Sequence, residues 1–290
     1  MLLPDNFSAK KKIIRAICSV CTLLSIIPFS FMPLKAGAQG NLLLTPKRIV
    51  FEGTKRSEEI NLVNTGKDTA RYVISFVQIR MKEDGAFETI TQPDSAQFFA
   101  DKNLRFFPRT VTLAPNEAQT IKVQVTRKNE LESGEYRSHL YLRSVPKEPP
   151  LGETAPPKDS TGISIKIIPV FGFSIPLIIR IGENTAVASL SKISVGIEKD
   201  TIPFLNMMIN RAGNMSVYGD IWVDHTSPEG KVTRVGLVKG LSVYTPIVRR
   251  YVHVGLNKNL GVNYRSGTLH IVYSYQAGKV ERSAQEEIRL

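Results

Sequence analysis

Cysteine is nearly missing from this chain. Its 290 residues carry two, Cys18 and Cys21, both close to the N-terminus. Everything beyond them has no disulfide, no thiol nucleophile and no thiolate metal ligand. Histidine is almost as scarce: His139, His225, His253 and His270 are scattered over separate segments, whereas a metal or acid–base centre needs convergent groups. No Gly-x-Ser-x-Gly, His-Glu-x-x-His or phosphate-binding loop occurs. No catalytic residue, metal ligand or cofactor is therefore assigned, and the chain is not read as an enzyme. Basic runs interleaved with aromatics are missing too, which argues against nucleic acid as a partner. Beyond residue 38 no apolar stretch is long enough to span a membrane.

The one long apolar run lies at the start. Lys10, Lys11, Lys12 and Arg15 precede a mostly apolar segment, 16–31, and Pro33 is followed by Ala36-Gly37-Ala38. A basic n-region, an apolar h-region and small residues at the cleavage point predict a signal peptide, 1–38, cut after Ala38. The run is short for a membrane anchor of ~20 residues, and Pro28 and Pro33 interrupt it. Cleavage removes both cysteines and lowers the formal charge from +12 to +8. That residual charge is spread along the chain, as expected of solvated strand faces. With no disulfide available, stability must come from burial, and the roughly 250 remaining residues suffice for two sandwich domains.

Hydrophobic period in the rest of the chain is two, not 3.6. Strands are predicted at 42–51, 58–63, 70–80, 87–90, 111–113, 119–126, 136–144 and 163–181. A second set follows at 190–197, 204–210, 217–224, 232–239, 251–256, 268–275 and 280–290. Turn signals separate them: Asn64-Thr65-Gly66 ends one strand, and Asn210-Arg211-Ala212-Gly213 ends its counterpart. Leu131 to Tyr136 has the spacing of a tyrosine corner. On one strand Tyr218, Asp220, Trp222 and Asp224 share a phase opposite Val217, Ile221 and Val223, and are expected to be half-exposed. Short strands with frequent turns predict an all-β fold of two tandem immunoglobulin-like β-sandwich domains, 39–181 and 182–290. A proline-rich loop, 146–162, interrupts the first of them.

The strand at 163–181 is the most informative segment. Ile163, Ile165, Ile167, Pro169, Phe171, Phe173, Ile175, Leu177, Ile179 and Ile181 are ten apolar residues at alternate positions. Strict alternation buries one face. Pro169 and Pro176 have no amide proton, so pairing along both margins throughout is not expected. A long apolar edge invites aggregation unless it is covered or kept for a partner that adds a strand. The same pattern also suits a strand that simply closes its own sandwich.

Several motifs in order resemble the PapD-like periplasmic chaperones of pilus assembly. They are Leu44-Thr45-Pro46-Lys47-Arg48-Ile49-Val50-Phe51, then Ile60 to Gly66, then Phe106-Phe107-Pro108-Arg109 with Gln119-Thr120-Ile121-Lys122-Val123, then Glu135 to Leu142, and last the proline-rich loop with the strand after it. The resemblance covers roughly 42–181; the later half matches in general character only. It implies a periplasmic chaperone that caps secreted β-rich, pilin-like subunits by donating an edge strand, with an outer-membrane usher as a further partner. It implies no cofactor and no stable membrane insertion once the signal is cleaved. Ile163, Ile165 and Ile167 take the place of donor side chains. The family anchors a subunit carboxylate with an Arg on its first strand and a Lys on its donor strand. Arg48 matches the Arg, Lys166 lies earlier than the family's Lys, and 167–179 contains neither Lys nor Arg. The alternative is a non-catalytic structural or adhesive envelope protein built from the same sandwiches.

Overall fold

The computed structural model describes residues 41–146, 169–199, 202–278 and 280–290. The signal peptide expected at 1–38, most of the proline-rich loop, and Ile163, Ile165, Lys166 and Ile167 lie outside the described residues. The first half contains β1 (Leu42–Thr45), β2 (Ile49–Phe51), β3 (Ser57–Asn64), β4 (Ala70–Val77), β5 (Ile79–Met81), β6 (Phe87–Thr89), β7 (Leu104–Phe107), β8 (Thr110–Leu113), β9 (Ala118–Val125), β10 (Gly134–Val145) and β11 (Gly172–Ile181). One sheet has the order β1-β3-β9-β7, the other β2-β11-β10-β4-β8. These are the A-B-E-D and G-F-C arrangements of an immunoglobulin-like sandwich. Inward residues of both sheets form one core, from Leu42, Ile60, Leu62, Ile121 and Val123 on one side to Phe51, Ile74, Leu140, Leu142 and Leu177 on the other. Fully burying each such side chain contributes about 1.5–3 kcal/mol.

Two sequence expectations need revision. The segment 42–51 is not one strand. It breaks at Pro46 and passes from the first sheet to the second, so Leu42 pairs with Asn64 while Val50 pairs with Ile178. The chain crosses again at Pro108, between β7 and β8. Neither proline has an amide proton to give a ladder, which suits both to the crossing points. The segment 70–80 is likewise two strands, and its second part turns back as the β5–β6 hairpin. The tyrosine corner is present: Tyr136 Oη donates to the Glu132 carbonyl at 3.3 Å.

The second half contains β12 (Val187–Glu198), β13 (Ile202–Ala212), β14 (Val217–Thr226), β15 (Val232–Val243), β16 (Arg249–Gly255), β17 (Thr268–Ala277) and β18 (Val280–Arg289). Its sheets are β12-β13-β16 and β15-β14-β17-β18, a second sandwich with its own core around Leu205, Ile209, Ile221, Val254, Ile271 and Tyr273. As its phase predicts, Trp222 is half-buried while Ile221 and Val223 are buried. Among the described residues no helix is long and apolar enough to cross a membrane.

Candidate partner-binding site

Strand β11 pairs with β10 over its whole length, from Gly134↔Ile181 to Arg143↔Gly172, without a register shift. Just beyond, the Ser144 amide donates to the Phe171 carbonyl at 2.8 Å. Bonded and non-bonded pairs alternate along an antiparallel ladder. The main-chain groups of Phe173, Ile175, Leu177 and Ile179 therefore face β10, and those of Gly172, Ser174, Pro176 and Ile178 face the opposite margin. Strand β2 occupies that margin, in parallel, only at Leu177, Ile178 and Ile179. From Gly172 to Pro176 no strand lies beside it among the described residues. Pro176 has no N–H there to leave unpaired.

The side chains divide as the alternation predicts. Ile175, Leu177 and Ile179 are buried in the first core, with Phe173 and Ile181 packed against it. In the opposite phase Gly172 and Ser174 are exposed, and Ile178 and Arg180 face the second sandwich. Ile178 packs with Met81 and Tyr244, with Val50 and Ile247 against them. Arg180 is the next residue of that phase.

Arg180 and Glu135 form an ion pair in which both side chains are nearly inaccessible, 5% and 0% exposed. Arg180 Nε donates to Glu135 Oε2 at 3.1 Å, and Arg180 Nη2 to the Ser216 carbonyl at 2.7 Å. The Ser216 amide and hydroxyl donate to the same Glu135 oxygen at 3.0 and 2.6 Å. Burial opposes ionisation of Glu135, but Arg180, the Ser216 hydroxyl, Arg48 and Arg137 together hold its carboxyl below the usual range. Residues from both sandwiches thus share one charge-assisted network.

Beside that network lies a cluster of cations. Arg48, half-buried just before β2, donates from Nη1 to Tyr244 Oη at 2.9 Å. Its guanidinium sits 4.5 Å from the Tyr218 ring centre and 5.3 Å from that of Tyr244. The Arg137 guanidinium lies 4.2 Å from the Tyr244 ring centre. Arg137 is 3% exposed, and only its Nη2 is engaged, by the Ile79 carbonyl at 3.3 Å. Its Nε and Nη1 have no hydrogen-bond partner among the described residues, nor has Nδ1 of the neighbouring His139. Burial lowers the affinity of Arg137 for its proton, partly countered by Glu135 and Tyr244 and reinforced by Arg48. Burial, with Arg137 and Arg48 close by, lowers His139 to about 3. Orphaned donors on a buried guanidinium are costly unless an acceptor reaches them. The cluster is thus a concentration of positive charge that Glu135 balances only in part, with Arg48 as its accessible member.

Of the predicted site residues, Arg48 lies in this cluster. Arg137, Glu135 and Tyr244 were not foreseen. Arg180, just past the stretch 167–179 that lacks Lys and Arg, carries the junction. The four histidines lie on four different strands, β10, β14, β16 and β17. No group of potential metal ligands occurs among the described residues.

The fold defines an architecture of two immunoglobulin-like sandwiches. No protein-family model matches the chain, and no curated protein sequence matches it. Its fold is similar to several solved structures. The YadV chaperone is 13% identical, at a TM-score of 0.41, covering 86% of this chain and 100% of that one. A chain of the CsuC–CsuE chaperone–tip adhesion subunit pre-assembly complex of Acinetobacter baumannii is 12% identical, at 0.42, with 84% and 97% covered. A chain of the Salmonella enterica SafA pilin–SafB chaperone complex is 11% identical, at 0.39, with 87% and 99% covered. These are likenesses of outline at low identity, and the functional reading below is drawn from the chain's own geometry.

Proposed function

We infer that the mature chain is a periplasmic chaperone that caps secreted β-rich subunits by lending them the margin of β11. Its domains are 39–181 and 182–290, exported by the signal peptide 1–38. The margin from Gly172 to Pro176, unpaired among the described residues, carries this reading. There the main chain offers hydrogen bonds outward while the alternate side chains remain apolar, as strand addition requires. Ile163, Ile165 and Ile167 continue the apolar phase upstream and are the proposed donor side chains, with Lys166 between them at the partner's rim. No cofactor is required, because the work is burial of apolar surface at about 25 cal/mol per Å². Arg48 supports a second contact, a charge-assisted hydrogen bond to the subunit's C-terminal carboxylate. Arg137, buried behind it, strengthens the field in a low-dielectric setting and supplies the charge that 167–179 lacks.

The test is prevention of aggregation of a pilin-type subunit that lacks its final strand. Ser174→Pro removes an outward N–H without touching the β10 ladder. Ile165→Asp with Ile167→Asp removes the apolar phase. Either change is expected to abolish capture while leaving the chain folded. Capture unaffected by both would overturn strand donation and favour a structural envelope protein. Binding that is stronger for a subunit ending in a free carboxylate than for its amide, and lost in Arg48→Ala, supports the anchor.

A further inference from the structure

The β5–β6 hairpin has no part in the core of either sandwich, yet it reaches both. It leaves β4 through Gln78, pairs Ile79 with Thr89 and Met81 with Phe87, and closes through Lys82 to Ala86. Its base holds the cationic cluster: the Ile79 carbonyl is the acceptor for Arg137, and Met81 is buried against Ile178 and Tyr244. Phe87, 56% exposed, lies 6.4 Å from both His139 and Tyr244 between ring centres. Its tip docks on the second sandwich. The Tyr251 amide donates to the Glu83 carbonyl at 2.6 Å, and Arg249 Nε donates to Glu83 Oε1 at 2.6 Å. Strand β16 is an edge strand, so the tip satisfies a main-chain group that would otherwise face solvent. Gly85 has φ +84°, and a β-carbon there would sit 2.6 Å from Arg250 Nη2. The positive φ favours glycine, and a side chain there would also push the Arg250 guanidinium aside.

The connection between the sandwiches, residues 182–186, is short, and its bonds to Asn214 hold it to the second sandwich: the Thr185 amide donates to Asn214 Oδ1 at 3.0 Å and Asn214 Nδ2 to the Glu183 carbonyl at 2.8 Å. Buried hydrogen bonds among Glu135, Arg180 and Ser216 tie the sandwiches, and the Arg48–Tyr244 and Ile178–Tyr244 contacts lie beside them. The hairpin tip adds a tether on a different strand of the second sandwich, β16, which restricts rotation about that junction. We propose that the β5–β6 hairpin is a strap that fixes the angle between the sandwiches and so holds Arg48, Tyr244 and Arg137 in register for a carboxylate, with Glu83 and Gly85 as the positioning residues. This rests on the carboxylate reading above.

The mature chain has no cysteine, so Val73→Cys and Val232→Cys, both exposed, can carry spin labels on opposite sandwiches. The distance distribution is expected to be narrow in the otherwise unchanged chain. It broadens in Glu83→Ala and Gly85→Val, and returns to narrow in Glu83→Gln, which keeps an acceptor for Arg249. In the same variants, preference for a subunit-derived peptide ending in a carboxylate over its amide falls roughly tenfold, with the unfolding midpoint of each sandwich unchanged. An unbroadened distribution in both Glu83→Ala and Gly85→Val overturns the strap. A broadened one with carboxylate preference intact overturns the positioning role. If the unaltered chain binds acid and amide equally, the carboxylate reading falls, and the distance widths alone decide whether the hairpin sets the angle.

Discussion

Replacing Glu135 with alanine should damage this protein more than any single surface change. The carboxylate has no accessible surface and accepts from Arg180 Nε, from the Ser216 amide and from the Ser216 hydroxyl, with Thr245 Oγ1 at 3.4 Å from its other oxygen. These bonds do not sum, because they share two oxygens and one desolvation cost. The dominant loss is that Arg180, 5% exposed, is left charged and buried with the Ser216 carbonyl as its main remaining acceptor. Breaking a buried pair from one side costs about 3–5 kcal/mol. Arg48 and Arg137 also lose the one carboxylate that offsets them. Removing both partners costs less, so Arg180→Met added to Glu135→Ala should restore part of the loss, about 1–3 kcal/mol of coupling. The assay is urea unfolding followed by circular dichroism and by fluorescence. Trp222, the sole tryptophan, reports the second sandwich alone, so the variant should show two separate transitions where the parent chain is expected to show one. A Glu135→Ala chain within about 1 kcal/mol of the parent, or a double variant less stable than the single, would refute the reasoning.

Two further outcomes follow from the same geometry. His139 is lowered to about 3 by burial, Arg137 and Arg48, so the unfolded chain binds a proton more readily and stability falls as pH drops below about 6.5. Between pH 7 and 5 this amounts to about 2 kcal/mol, and His139→Gln should flatten the urea midpoint over that window. Glu135 acts lower. Its depressed pKa keeps its contribution down to the ordinary carboxylate range and loses it only as pH falls through the folded-state value. Gly213 has φ +91°, and a β-carbon would lie 2.5 Å from the Thr185 carbonyl. Gly213→Ala should therefore cost about 1–3 kcal/mol in thermal unfolding.

Sequence alone determined that this chain is built of strands, where most of them turn, and which face of each is apolar, because a period of two is a property of neighbouring residues. Alternation along 163–181 placed Ile175, Leu177 and Ile179 in a core before any partner strand was known, and the spacing of Leu131 to Tyr136 anticipated the corner bond. It left undecided what lies across a sheet or between sheets. Pro46 and Pro108 were visible as breaks, but that the chain changes sheets there depends on which strand it pairs with next. Glu135 meets Ser216 across 81 positions of sequence. Arg137 reads as an ordinary residue on the polar phase of its strand, and the packing of Tyr244 from the second sandwich helps bury it with two donors unpaired among the described residues. Local pattern sets the direction in which a side chain points; the burial and charge it meets there come from segments far away in the chain.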